Sequence, residues 1–170
     1  LLTFHKDILF VNSLIKKNII VIGSSRGLGK SISQSLLMHE ANVINASRSN
    51  PVSDPNSVEL DITNTKSIDS FIKHLKENGF LIDGLVVSAA KSLPPLFKVN
   101  EKINKLQHPE VFNDLLQTNL YAVYNLVYNL ELFLAPKASI VFLSSIGAHR
   151  AFPDNIGYQA SKAAIESLAR

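Results

Sequence analysis

The chain has 170 residues, 46% of them apolar and 18% charged, which is enough for one buried core and too little for two ordinary domains. It has no cysteine, which excludes a disulfide framework and thiolate chemistry and makes a reducing cytoplasm the expected setting. The net charge of +3 is spread along the chain, with Lys16-Lys17 the only close cluster and no interleaved aromatics, so no nucleic-acid partner is expected.

Residues 1–17 read as a leader, interrupted by His5, Lys6, Asp7, Asn12 and Ser13. It is neither a membrane span nor a clean signal peptide, and no membrane partner is expected. Short apolar runs of strand length then recur at Ile19 to Ile22, Val43 to Ala46, Leu85 to Ala89 and Ile140 to Leu143, with a weaker one at Ser57 to Leu60. They predict strands buried on both faces. Helical spacing lies between them: Leu28, Ile32, Leu36 and Leu37; then Ile68, Phe71, Ile72 and Leu75, closed by Gly79; then a long pattern from Pro109 through Phe112, Leu116, Leu120, Val123, Val127 and Leu130. Ser92 to Gln107 reads as a long surface loop. Strands alternating with helices predict an α/β fold, a Rossmann-like doubly wound parallel sheet over residues 18–170. The sequence opens at Leu1, its one methionine is Met38, and it stops at Arg170 inside an unfinished helical pattern. A fragment is therefore expected.

After the first strand comes Gly23-Ser24-Ser25-Arg26-Gly27-Leu28-Gly29, followed by an amphipathic helix. Glycines allow a tight turn and close backbone approach to a diphosphate, and the helix N-terminus offers it unpaired N–H groups. In this context the loop predicts a dinucleotide site. The end of the second strand reads Asn45-Ala46-Ser47-Arg48-Ser49-Asn50, with no carboxylate to bond a ribose 2′-hydroxyl. Arg48, with its guanidinium fork, and Arg26 suit a 2′-phosphate, so NADP(H) is expected over NAD(H).

Near the C-terminus, Ser144-Ser145 follows an apolar strand, and Tyr158-Gln159-Ala160-Ser161-Lys162 lies in a helical pattern. Tyr and Lys four apart share one helix face, so the ammonium can sit near the phenol. A free tyrosine is a weak acid, and a neighbouring cation favours its phenolate, which suits the pair to proton exchange. Ser145, at a strand end where a substrate carbonyl would lie, could hold that oxygen. The histidines His5, His39, His74, His108 and His149 are too dispersed for a metal site, and none is expected.

From Asn18 to Arg170 the sequence resembles the short-chain dehydrogenase/reductase family, single-domain oxidoreductase branch. The glycines Gly23, Gly27 and Gly29 have that branch's spacing rather than that of the nucleotide-sugar epimerases and dehydratases. Asp61-Ile62 resembles the family's Asp-aliphatic pair beside the adenine, and Asn119, Ser145, Tyr158 and Lys162 resemble its catalytic group. The resemblance implies a hydride transfer between nicotinamide and a carbonyl or secondary alcohol, as in a carbonyl reductase or 3-oxoacyl reductase. Tyr158 would exchange the proton, Ser145 steady the oxygen, Lys162 bond the ribose, and Asn119 hold a relay water. Cofactor contacts are expected from Gly23, Ser25, Arg26, Gly27, Leu28, Gly29, Ser47, Arg48, Asp61, Ile62, Ser88, Ala89, Tyr158 and Lys162. The resemblance also implies a homodimer or homotetramer for the complete protein. Two motifs differ: Ile22 stands where the family has Thr, and Val87-Ser88-Ala89-Ala90 stands for Asn-Asn-Ala-Gly. In the family further strands follow this last helix, so the resemblance implies a fold lacking the C-terminal strands of the complete one. This, with the second change, motivates an alternative, a cofactor-binding sensor or truncated pseudoenzyme without turnover.

Overall fold

The computed structural model describes residues 14–49, 54–92, 107–150 and 155–170. The apolar runs form five strands: β1 (Asn18–Ile22), β2 (Asn42–Ser47), β3 (Ser57–Glu59), β4 (Ile82–Val87) and β5 (Leu134–Phe142). Every pairing is parallel, in the order β3-β2-β1-β4-β5. Parallel neighbours need crossovers, and helices supply them. They are α1 (Gly27–Met38), α2 (Thr65–Glu77), and the run α3 (Pro109–Leu116), a π-helical turn (Gln117–Tyr121) and α4 (Ala122–Leu130); α5 (Ile156–Ala169) follows β5. The chain moves outward from β1 to β3 and then returns to β4 on the other side of β1. That reversal opens a crevice at the carboxyl ends of β1 and β4.

The apolar run of β1 serves two cores because successive side chains point to opposite faces. Ile20 and Ile22 enter the larger core with Phe71, Leu75, Leu85, Leu126 and Ile165. Ile19 and Val21 enter a smaller one beneath α1, with Val43, Val86, Ile32 and Leu36. Each fully buried Ile, Leu or Phe contributes about 1.5–3 kcal/mol, so these positions dominate the packing. The ends of α2 are set by local hydrogen bonds. The Asn64 side chain accepts from the Lys66 and Ser67 amides. At the other end Gly79, with φ +58°, donates to Lys76 O, and Phe80 donates to Leu75 O. Only a residue tolerant of the left-handed region can close a helix in this way.

The structure revises several sequence expectations. Leu28 and Leu37 do not pack inward; Leu28 is 69% exposed because α1 begins beyond the end of the sheet. β4 begins at Ile82 and stops at Val87, which leaves Ser88 and Ala89 in the loop beyond it. β5 begins at Leu134 and, like the opposite edge strand β3, has one open face: Ile140 and Phe142 pack on the core while Val141 is 48% exposed, and in β3 Val58 packs inward while Glu59 is exposed. The long helix is continuous but changes pitch, with Ala122 N–H bonding back to Gln117 O across the π turn. Most of the leader and of the 92–107 loop lies outside the described residues, although Leu14 packs on the smaller core.

Candidate active site

The loop between β1 and α1 is built from backbone. Gly23 has φ +85° and its N–H donates to Ala46 O at 2.7 Å. A Cβ on Gly23 would stand 2.7 Å from Ala89 N, and one on Gly29 would meet the Gly23 carbonyl and lie 3.1 Å from Ser88 Oγ. The loops after β1 and β4 therefore touch through main chain, at a separation that no side chain permits. Arg26 is the N-cap of α1, yet no side chain caps that end and no acidic residue lies in its first turn. The end keeps its positive dipole and N–H groups for an anion, so the residues present fit a diphosphate.

Beside this loop, Ser47 is buried and its hydroxyl donates to Ser49 O at 2.9 Å, while Arg26 and Arg48 are exposed. Asp61 accepts from the Thr63 amide at 2.9 Å and the Thr63 hydroxyl at 2.7 Å. The Thr63 hydroxyl is the main cause that holds the Asp61 carboxyl below the usual carboxylate range, against some burial, with the Thr63 amide and the Arg48 charge adding to it. Ile62 is buried next to it.

Across the crevice, α5 presents Tyr158 and Lys162 one turn apart. Lys162 is 4% exposed, its Nζ donates to Leu143 O at 2.5 Å and lies 5.7 Å from the centre of the Tyr158 ring. Burial pushes the Lys162 ammonium down from its ordinary value. Ser145 caps the 3-10 turn Ile146–Ala148, its Oγ accepting from the Gly147 amide at 3.1 Å. Asn119 sits inside the π turn, 2% exposed. Its Oδ1 accepts from Lys91 N at 2.7 Å, and its Nδ2 donates to Lys91 O at 2.8 Å and Ser161 Oγ at 3.1 Å. The side chain thus joins the loop after β4 to α5.

One cleft of about 1300 Å³ runs through both halves, above the roughly 300–1,000 Å³ of an ordinary small-molecule site. Of the predicted residues, Gly23, Ser25, Arg26, Gly27, Leu28, Ser47, Arg48, Asp61, Ile62, Ser88, Ala89, Tyr158 and Lys162 line it. Gly29 is buried beneath the loop and Asn119 behind the wall, and Ser144 lines the cleft where Ser145 was expected. Ala90, in the altered motif after β4, lines it too, as do Lys91, Asp114, Gln117, Thr118, Tyr121 and Asn125, which the sequence reading does not single out. From 114 to 125 these recur at helical spacing as a stripe of polar side chains, the one signal in the sequence for this wall. Lys91 meets Asp114 at 2.5 Å in this wall. Val87, where the resemblance gives an asparagine, is 4% exposed and packs in the larger core.

The sequence model of a family described as short chain dehydrogenase matches residues 17–170. The chain belongs to the short-chain dehydrogenase family. Short-chain dehydrogenases use nicotinamide cofactors. Among solved structures, the ligand-free aldohexose dehydrogenase of Thermoplasma acidophilum is 25% identical, with a TM-score of 0.78 over 92% of this chain and 60% of its own. A short chain dehydrogenase family protein of Francisella tularensis is 26% identical, with a TM-score of 0.74 over 89% of this chain and 60% of its own. Pseudomonas aeruginosa RhlG, solved as an NADP active-site complex, is 21% identical over 93% of this chain and 66% of its own, with a TM-score of 0.77, a likeness of fold. The chain therefore spans 60% of the length of the first two short-chain dehydrogenases. Among the described residues no helix is long and apolar enough to cross a membrane.

Proposed function

We propose that this short-chain dehydrogenase chain carries the cofactor site and catalytic group of an NADP(H)-dependent oxidoreductase that interconverts a carbonyl and a secondary alcohol. The observation that carries the reading is that Tyr158 and Lys162 line the same cleft as the uncapped glycine loop. The nicotinamide, when bound, supplies or accepts the hydride. Gly23, Gly27 and the α1 N-terminus would hold its diphosphate, with Gly29 keeping the loop closed beneath. Arg48 and Arg26 would hold the 2′-phosphate, and Ser25, Leu28, Ser47, Asp61, Ile62, Ser88 and Ala89 would shape the remaining wall.

Tyr158 gives or takes the proton at the substrate oxygen, and the Lys162 charge near its ring stabilises the phenolate electrostatically. Ser145 Oγ accepts from Gly147 N–H, and that bond does not use its own proton, which can be donated to the substrate oxygen. Asn119 acts by bracing Lys91 against α5 rather than by offering its side chain to water. The proposed setting is cytoplasmic, with α4 and α5 supplying contacts in a homodimer or homotetramer. A second reading, a cofactor-binding protein without turnover, is favoured by one observation: Ser144 and not Ser145 lines the cleft.

Thermal unfolding of the full-length protein with NADPH or NADH, followed by a panel of ketones, tests both. A ligand at about 100 times its dissociation constant adds roughly 2.7 kcal/mol to stability. A larger shift with NADPH and ketone-dependent NADPH consumption are expected. A shift without turnover would favour the second reading, and no shift with either cofactor would overturn both.

A further inference from the structure

Glu166 lies on α5 one turn beyond Lys162 and is outside the cleft wall. Its Oε1 accepts the Ser144 hydroxyl at 2.7 Å and faces His149 Nε2 at 3.0 Å. Ser144 and His149 bracket the short turn that contains Ser145. A single carboxylate oxygen therefore reaches both ends of that loop. The Ser144 hydroxyl also lies 3.5 Å from the Lys162 carbonyl, so the loop meets the same helix twice. Inside the loop the bonds are local: Gly147 N to Ser145 Oγ, Ala148 N to Ser145 O at 2.9 Å and His149 N to Ile146 O at 3.0 Å. These shape the turn but do not anchor it to α5.

The other charges near Glu166 are accounted for. Lys162 turns its Nζ to Leu143 O, Arg170 adds a positive charge near Glu166, and His149 Nε2 stands against the same carboxylate oxygen. The Ser144 hydroxyl is the main cause holding the Glu166 carboxyl below the ordinary range, so it remains an acceptor at neutral pH.

We propose that Glu166 is a positioning residue: it ties the loop carrying Ser145 to the helix carrying Tyr158 and Lys162, and so fixes the serine hydroxyl relative to the phenol. The proposal rests on the oxidoreductase reading. Proton exchange and oxygen binding at one substrate atom need both groups aligned, and a displacement of about 1 Å costs on the order of 100-fold in rate.

The test compares full-length wild type, Glu166→Ala and Glu166→Gln by amide hydrogen exchange at Gly147, Ala148 and His149, NADPH affinity, and kcat and KM for a ketone that the wild type reduces. Glu166 keeps 27% side-chain exposure, so its truncation leaves the core intact. In Glu166→Ala, exchange at these amides rises about tenfold and kcat falls about 10- to 100-fold, while NADPH affinity stays within about twofold. Glu166→Gln restores most of both, because its Oε1 still accepts from Ser144. Wild-type kcat in Glu166→Ala, an effect on KM alone, or no rescue by Gln would overturn the positioning role. Unchanged exchange in Glu166→Ala would overturn the tie itself. A wild type without turnover, with exchange still rising in Glu166→Ala, would overturn the oxidoreductase reading and leave the tie standing.

Discussion

The two walls of the cleft are built by different means. On the β1–α1 side the geometry belongs to consecutive residues, and its close contacts are backbone against backbone, Gly23 against Ala89 and Gly29 against Gly23. On the α5 side it belongs to residues far apart in sequence, held together by side chains: Asn119 on Lys91 and Ser161, Glu166 on Ser144 and His149, and Gln107 on the Gly157 amide. The close contacts of the first wall involve no side chain, and at Gly23 and Gly29 there is no room for one. The second depends on its polar bonds between distant residues.

The two walls differ most at the glycines. Gly23→Ala meets Ala89 and places a side chain at φ +85°. It is expected to cost about 2–4 kcal/mol of stability, combining left-handed strain with overpacking, and to abolish NADPH binding in calorimetry. On the same wall, removing both Arg26 and Arg48 should leave the fold intact. The NADPH-over-NADH affinity ratio should drop by about 10- to 100-fold, since charge-assisted bonds are worth about 1.5–3 kcal/mol. An unchanged ratio would show that neither arginine reads the 2′-phosphate.

On the other wall, Asn119→Ala leaves the Lys91 amide and carbonyl without their side-chain partner. A loss of about 1–2 kcal/mol in urea unfolding is expected, with kcat falling and NADPH affinity little changed. The smallest effects come from titration. Asp61 and Glu166 have folded values below the ordinary range, so the stability they give is complete above the unfolded value, near 4. It is lost as pH falls through the folded values. Thr63→Val removes the main cause at Asp61, and the stability gap between wild type and variant should close in acid. Lys162 runs the other way: burial lowers its folded value, so between that value and about 10.4 the unfolded chain binds more protons and stability rises with pH.

This division also explains what could be read from the residues alone. The run Ile19–Ile22 and the glycines that follow have local causes, so β1, its turn and α1 are legible as a pattern. The start of β5 is not, because Pro136 and Lys137, the latter with φ +68°, interrupt the strand signal before Ile140. The π turn at Asn119 is hidden because one inserted residue hardly alters helical periodicity, although it decides which face carries the amide. The residues alone assign the strand-end role to Ser145, yet it is Ser144 that lines the cleft. What separates them is a carboxylate 22 residues further on in Glu166, which no local motif announces.

In the proposed oxidoreductase, α5 supplies proton chemistry to a cofactor held by the glycine loop. Replacing Tyr158 with Phe in the full-length protein and measuring NADPH affinity beside ketone turnover tests it most directly. Affinity within about twofold of wild type, with kcat reduced by about 10²- to 10⁴-fold, is the predicted result. Turnover that survives the loss of the phenol would contradict the account.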